Sequence, residues 1–448
     1  MEAAALAALA AISACAQSQP ELRQIVERLD RLEEQNRALL AEVRELKSAL
    51  AAVHGDKAPE AEHQPAVEER LDVAESRTAE LAASKVEASQ RFPLRITGMM
   101  LFNSFLNSRG SGGAEYPTVA QPGGEASGGA TVRQTILGLD YNGPTAFGGK
   151  ISGALRVDLW GGSGQALDQL MRVRTATIDI YWKDNGLLVG VDKPIISPRE
   201  PESLAQVAVS PLSGAGNLWL WSPQVRFQQE VHFGEGSGLR AQFGVIQTHE
   251  VNGSPGSPYS PETPTSNYVE AARPGVEGRV ELFVGTSRRI EVATAIHHSV
   301  SHVLGTAIPS DVYLVDWLAR PWQKLEFTGT VFTGQNVAPL GTGAIRQGYV
   351  ALGPGRAAAV HSRGGWAQLA FRPAPRLWFN LFSGQQDDRD SDLPAGGIGK
   401  NLVYGANLFY RLAPNVLAGL EASQTRTSYI GSGTLLDNHY DLAFAYLF

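Results

Sequence analysis

Hydrophobic residues recur at every second position over most of the chain from residue 92 onward. In the stretch 152–160, for example, Leu155 and Val157 lie on one face of an extended chain, and Arg156 and Asp158 lie on the other. A period of two is typical of strands that have one apolar and one polar face. The pattern therefore predicts that this part of the protein is all β.

The number and spacing of these segments indicate one closed sheet. The sequence contains sixteen candidate strands, at 94–107, 131–142, 149–160, 171–182, 186–192, 224–233, 238–247, 274–284, 289–298, 312–320, 324–333, 364–372, 376–384, 402–411, 415–425 and 438–448. Most approach the length of about 9–11 residues with which a tilted strand crosses a bilayer. Tight turns alternate with long polar connectors at 108–130, 161–170, 193–223, 248–273, 299–311, 334–363, 385–401 and 426–437. An even strand count with this alternation predicts a 16-stranded antiparallel transmembrane β-barrel over residues 92–448.

The segment 441–448, "DLAFAYLF", continues the alternation to the last residue. In hydrocarbon every backbone polar group needs a partner, so the last strand must pair with the first and cannot fray. Phe444, Tyr446 and Phe448 share one face, which we expect to contact lipid. This aromatic pattern resembles the assembly signal of bacterial outer-membrane barrels. The resemblance implies a Gram-negative type of outer membrane, with its lipopolysaccharide and barrel-assembly machinery as partners.

A different period, of seven, precedes the barrel. Its core positions are Leu22, Ile25, Leu29, Leu32, Asn36, Leu39, Val43, Leu46 and Leu50. Apolar heptads sustained in this way predict an α-helical coiled coil, in which a polar Asn at position a fixes the register. We interpret residues 20–90 as an N-terminal oligomerisation stalk. The alternative is a solvated amphipathic helix on a monomer.

The only long apolar stretch is Ala3–Ala16, which has the length of a signal-peptide core and ends in the A-x-A pattern of Ala14–Ala16. Residues 1–16 are therefore predicted to be a signal peptide. A lipid attached to Cys15, which follows a lipobox-like "ISA", is the alternative. If residues 1–16 are a cleaved signal peptide, the mature chain contains no cysteine.

Composition and motifs exclude other classes. A net charge of −7 and a pI of about 5.8 argue against nucleic-acid binding, which needs a basic face. The sequence contains no G-x-S-x-G, H-E-x-x-H or phosphate-binding loop. His232, His297, His298 and Ser299 offer a base and a nucleophile, but nine histidines in a long chain make such adjacency common. We expect no enzyme activity, metal or cofactor.

Sixteen strands leave an aqueous lumen, and the connector 193–223 lies where porins fold a loop inward. We expect Arg199, Glu200 and Glu202 of this loop to form the pore constriction with wall residues of the inward parity: Arg156, Asp158, Arg172, Arg174, Asp192, Arg226, Glu230 and Arg240. Five wall arginines favour anions such as dicarboxylates. The alternative is that these charges solvate the lumen and pair with each other. Strict alternation through "MRVRTATIDIYW" places Asp179 opposite Arg172 and Arg174.

A stalk followed by a barrel that opens on "RFPLRITGMMLFNSF" is similar to the DcaP-like trimeric porins, and "GLLVGVDKPIISP" and "WSPQVRFQQE" resemble their strand-loop-strand passage. The resemblance implies a homotrimer with a periplasmic stalk and pores for small hydrophilic, often negatively charged, solutes. "VGVDKP" departs from the family, so the solute preference is not inherited. The alternative function is an outer-membrane anchor that tethers peptidoglycan through the coiled coil.

Overall fold

The structure is a computed structural model of the full chain. It describes residues 94–161, 169–247, 274–286, 289–303, 306–341, 345 and 347–448. The predicted signal peptide 1–16 and coiled coil 20–90 lie outside the described residues and stay predictions.

Nineteen strands account for most of the described residues. They are β1 Leu94–Asn107, β2 Ser127–Thr131, β3 Ile136–Ala146, β4 Gly149–Gly161, β5 Leu170–Tyr181, β6 Asn185–Asp192, β7 Ser222–Gly234, β8 Ser237–Gln247, β9 Pro274–Val284, β10 Ile290–Val303, β11 Thr306–Trp322, β12 Leu325–Gln335, β13 Tyr349–Gly353, β14 Arg356–Ala359, β15 His361–Ala374, β16 Leu377–Asp388, β17 Ile398–Ala413, β18 Val416–Tyr429 and β19 Gly433–Leu447. Two short 3-10 turns follow β12 and β16, at Ala338–Leu340 and Asp390–Asp392. No described helix has the length and hydrophobicity that a membrane crossing requires.

The sheet closes on itself. Consecutive strands pair antiparallel around the barrel, and β19 pairs with β1 from Met99↔Leu447 to Asn107↔His439. β2 and β3 pair with the two halves of β1, so they form one interrupted wall strand, while β13 and β14 form a separate hairpin. The closed 16-stranded antiparallel barrel predicted from the sequence is therefore confirmed.

Exposure alternates along the strands as the sequence pattern requires. In β19, Phe444 and Tyr446 are 44% and 50% exposed, whereas Ala443 and Ala445 are 1% and 2% exposed. The apolar residues with large exposed areas thus lie on the outer face, where lipid replaces water. Phe448 is outward too, and its backbone exchanges two hydrogen bonds with Gly98 of β1.

Two predicted boundaries were wrong. The connectors 299–311 and 426–437 are mostly strand, since β10 and β11 are separated by two residues and β18 and β19 by three. Strands that extend beyond the hydrocarbon no longer need an apolar face, so their polar residues imitate loop composition.

Strict alternation does not hold through β5, so the face that it gives for Asp179 differs from the observed one. A β-bulge shifts the register between Arg156↔Thr175 and Val157↔Val173, which reverses the parity of the rest of β5. Asp179 is therefore buried on the inner face and accepts a hydrogen bond from Thr177 Oγ1 at 2.9 Å.

The apolar core lies inside the barrel, where connectors pack against the wall. Ile196 and Leu218 of the connector after β6 pack with Leu314 and Phe332 of the wall and with Leu340 of the connector after β12. The lumen is thus partly filled by inward-folded loops.

Candidate channel interior

The connector between β6 and β7, residues 193–221, crosses the barrel and is called the inner loop below. Its atoms hydrogen-bond to side chains of β1, β9, β11, β15, β17 and β18. It joins neighbouring strands but contacts the opposite wall, so it lies across the lumen. Its middle is buried, including Ala205, Ala208 and Leu218.

The first part of the inner loop is anchored by Arg199. Its guanidinium lies 3.0 Å from Asp316, 3.1 Å from Glu281 and 2.5 Å from Glu291, all on the wall. Glu281 and Asp316 are 1% exposed, and Arg279 and Arg240 also contact Glu281. Arg199 therefore adds a cation of the loop to a cluster of charges on the wall, which we call the wall cage: Arg240, Arg279, Glu281, Arg289, Glu291 and Asp316.

Glu277 of β9 holds the adjacent backbone. Its Oε2 accepts hydrogen bonds from the amides of Ile195 and Ile196 at 2.6 and 3.3 Å. Its Oε1 lies 3.0 Å from Nδ1 of His297, whose Nε2 lies 2.9 Å from Ser299 Oγ. His297 and Ser299, considered above as base and nucleophile, are thus buried in a contact chain that ends on the inner loop. His232 and His298 lie elsewhere, beside Glu230 and Asp311.

The tip of the inner loop is held by amide side chains of the wall. Asn103 Nδ2 donates to Leu204 O at 2.8 Å, and Gln134 Nε2 donates to Ala205 O at 2.7 Å. Asn407 Nδ2 donates to Glu202 O at 2.8 Å. These bonds satisfy backbone carbonyls that burial would otherwise leave without partners.

The five wall arginines proposed from the sequence are all inward and all paired. Arg156 lies 2.5 Å from Asp140, Arg172 and Arg174 lie 2.6 and 3.0 Å from Asp158, Arg226 lies 3.1 Å from Asp192, and Arg240 lies 2.7 Å from Glu230. Arg174 also stacks on Trp221 of the inner loop, 4.4 Å from its centroid. This pairing favours the alternative in which these charges neutralise each other.

A cavity of about 990 Å³ lies beneath the inner loop, toward the tight turns, and is called the vestibule. Its charged lining consists of Arg174, Glu200, Glu202, Lys324, Arg372 and Arg411, and its apolar lining includes Trp378 and Phe409. Cations outnumber carboxylates there. Sequence reasoning included Arg174, Glu200 and Glu202 and missed the other three cations.

Two of the missed cations, Lys324 and Arg411, carry little compensation. Lys324 Nζ donates to the carbonyl of Pro373 at 2.9 Å and has no carboxylate within ion-pair distance among the described residues. Arg411 has no carboxylate within ion-pair distance among the described residues, and its buried Nε has no hydrogen-bond partner. It lies 5.9 Å from the centroid of Trp378. Arg372 pairs with Glu202 at 2.8 Å, but both side chains remain about 40% exposed to the vestibule. The vestibule thus offers a cationic surface beside an aromatic one.

Glu200 connects two parts of the inner loop that are distant in sequence. It lies 2.6 Å from Lys193 Nζ and accepts a hydrogen bond from Ser210 Oγ at 2.7 Å. Burial disfavours the charged carboxyl, but the Lys193 ammonium and these hydrogen bonds outweigh it and hold the pKa of Glu200 below its ordinary value. The carboxylate is therefore ionised at neutral pH and joins the two halves of the loop.

The closed barrel with an inward-folded third connector defines the class, an outer-membrane β-barrel. No protein-family model and no curated protein matches the sequence. Among solved structures, the chain is similar to the outer membrane channel DcaP of Acinetobacter baumannii, with a TM-score of 0.63 and 15% identity over 79% of this chain and 97% of that one. It is also similar to OprB of Pseudomonas putida, with a TM-score of 0.51 and 9% identity over 82% and 97% of the two chains. The expected resemblance to porins is thus confirmed for the fold.

Proposed function

We propose that this protein is an outer-membrane porin that admits small hydrophilic solutes and prefers anions. The observation that carries the proposal is the inner loop, which crosses a closed barrel and is fixed to its walls by side chains from both directions. A sixteen-stranded barrel has a lumen too wide for wall side chains to fill. A loop fixed across it supports a narrowed aqueous path rather than a solid plug or an empty tube.

The vestibule supports the preference for anions. Solutes that cross from the tight-turn side meet Lys324, Arg372 and Arg411 before they meet the inner loop. Fixed cations in a narrow, partly desolvated space raise the local concentration of anions. The paired wall arginines contribute less, because their carboxylate partners cancel most of their field.

Single-channel recording in planar bilayers under a salt gradient tests both parts. We expect discrete conductance steps and a reversal potential of the sign that anion selectivity gives. Lys324→Gln combined with Arg411→Gln should move the reversal potential toward the cation side. The control, Arg156→Gln combined with Arg226→Gln, removes the same charge from paired wall positions and should move it less.

The outcomes separate the two claims. Absence of conductance steps from folded protein would contradict a pore. Steps with cation selectivity, or equal shifts in the two double variants, would contradict the vestibule as the selective region and leave the pore in place.

We also propose the assembly that the sequence implies, a homotrimer whose coiled coil 20–90 is periplasmic. The tether to peptidoglycan is the alternative role for that segment. Binding of the full chain to purified sacculi, compared with a chain lacking residues 20–90, distinguishes these roles. If the deletion abolishes sacculus binding but not trimers, the tether is favoured; if it abolishes trimers but not sacculus binding, the oligomerisation stalk is favoured.

A further inference from the structure

A second concave surface lies on the outer wall of the barrel. It is a groove of about 540 Å³ across β1, β19, β18, β17 and β16. Its floor contains the small residues Ser104, Ala406 and Ala422, and its sides are apolar: Leu106, Phe379, Leu408, Leu420, Tyr440 and Leu442. We call it the outer groove. Asn407, Glu421 and Asp441 also line it but are buried, so the surface that the groove exposes is mostly apolar and suits an acyl chain.

A ladder of polar side chains borders the outer groove on the side of the long connectors. Gln424 accepts hydrogen bonds from Tyr404 Oη at 2.5 Å and Arg426 Nε at 2.8 Å, and it donates to Asn438 Oδ1 at 2.8 Å. These residues are outward by the parity of β17, β18 and β19. Polar groups that point outward mark the level at which the hydrocarbon gives way to headgroups.

Cations lie directly beyond this ladder. Lys400 and Arg426 are exposed on the adjacent strands β17 and β18. Arg426 is paired with Leu402, two residues along β17 from Lys400, which is paired with Ser428. Neither has a carboxylate within ion-pair distance in the described part of the chain. Arg363 follows two strands away and pairs with Asp387 at 3.1 Å.

The distribution of these cations is one-sided. In the barrel strands that the structure describes, Lys and Arg of the outward parity occur only at Arg363, Lys400 and Arg426, on β15, β17 and β18. All three lie toward the long-connector ends of their strands. An apolar groove therefore leads into a cationic patch on one sector of the barrel.

We infer that the outer groove and this patch bind a phosphate-bearing glycolipid, the lipopolysaccharide of the outer leaflet. One acyl chain occupies the groove, and a glucosamine phosphate contacts Arg426 and Lys400, because an anionic headgroup at that depth meets cations that have no carboxylate within ion-pair distance among the described residues. This inference rests on the proposed function as an outer-membrane porin and adds a specific site at which the barrel binds lipid.

Native mass spectrometry of the full chain in detergent, titrated with diphosphoryl lipid A or with phosphatidylethanolamine, tests the site. We expect lipid A to bind the wild type more tightly than phosphatidylethanolamine. Arg426→Gln combined with Lys400→Gln should weaken lipid A binding by about tenfold or more, as expected for two lost charge-assisted contacts. Ala422→Trp, which fills the groove, should weaken both lipids.

Lys150→Gln is the control, because Lys150 is an exposed cation at a tight turn on the opposite side of the membrane. Equal lipid A affinity in wild type and the double variant, or equal affinity for the two lipids, would overturn the site. If the variants instead change the number of chains per particle without added lipid, the surface contacts a second copy and the lipid proposal fails. Conductance is recorded on the same samples, so a missing pore with intact lipid binding refutes the proposed function alone.

Discussion

Removing the Arg199 side chain should release the first part of the inner loop from the barrel wall. Arg199 makes three ion-pair contacts of 2.5–3.1 Å, and its side chain is 18% exposed while Glu281 and Asp316 are 1% exposed. Deleting one partner of such a buried group costs about 3–5 kcal/mol, because the remaining charges stay desolvated. At about 1.4 kcal/mol per factor of ten, even the lower value changes the ratio of docked to undocked loop roughly a hundredfold.

In Arg199→Gln we therefore expect a larger single-channel conductance with more frequent transitions between levels. Endoproteinase Glu-C should also cut the loop after Glu202, before Ser203, in folded protein faster than in the wild type. The matched control is Arg289→Gln, because Arg289 pairs with Glu291 in the same cage but lies on the wall and not on the loop. It removes the same charge and leaves the loop contacts in place.

The reasoning is refuted if the two variants have the same conductance and the same cleavage rate. That result would show that the cage stabilises the wall and that the loop is held by its other contacts. If Arg199→Gln changes the ion selectivity but not the conductance, the reasoning is also refuted, because such a change reports only the altered charge.

Further variants test the other contacts of the loop. Glu277→Gln should loosen the backbone of residues 195–196, because a neutral amide accepts their two amide hydrogen bonds less strongly. Faster cleavage by endoproteinase Glu-C after Glu202 would show it. Gly216→Ala should displace the second half of the inner loop, because Gly216 has φ +91° and an added Cβ would lie 2.4 Å from a carbonyl oxygen of β16. The control is Gly396→Ala, at φ +79° with no atom within 4 Å of the added Cβ, which should leave the conductance unchanged. The lowered pKa of Glu200 means that its contribution to loop docking is complete above the ordinary carboxyl pKa and is lost as pH falls through the lowered one. Wild-type conductance should therefore rise only below the ordinary glutamate range, and Glu200→Gln should remove that step.

The barrel was predictable because alternate residues of a strand point to opposite faces of the sheet, so an odd or even position gives the face of each side chain. Lipid selects apolar side chains at every second position and short turns on one side, and both patterns are visible without knowledge of any contact. Irregularities were not predictable in this way. The bulge in β5 that turns Asp179 inward adds one residue without changing the composition, so strict alternation gave the wrong face.

The candidate site was less accessible to sequence reasoning, since parity gives the direction of a side chain but not its partner. Arg172 and Arg174 meet Asp158 across a strand pair whose register depends on the bulge. Arg372 and Arg411 end the predicted strands 364–372 and 402–411 and follow the inward parity of β15 and β17, but neither was included among the lumen residues. An arginine at the last inward position of a strand is the signal that could have identified the vestibule.

The wall amides explain how a buried loop is tolerated inside this barrel. Loops usually stay on surfaces, because a buried backbone loses its hydrogen bonds to water. Here Asn103, Gln134 and Asn407 replace that water at three nearby carbonyls of the loop, those of Leu204, Ala205 and Glu202. An inward amide on such a wall is therefore a contact for the loop and not a lining for solute. The loop is held by backbone contacts at its tip and by charge at Arg199, so a change of solute preference can arise in the vestibule without disturbing the constriction above it.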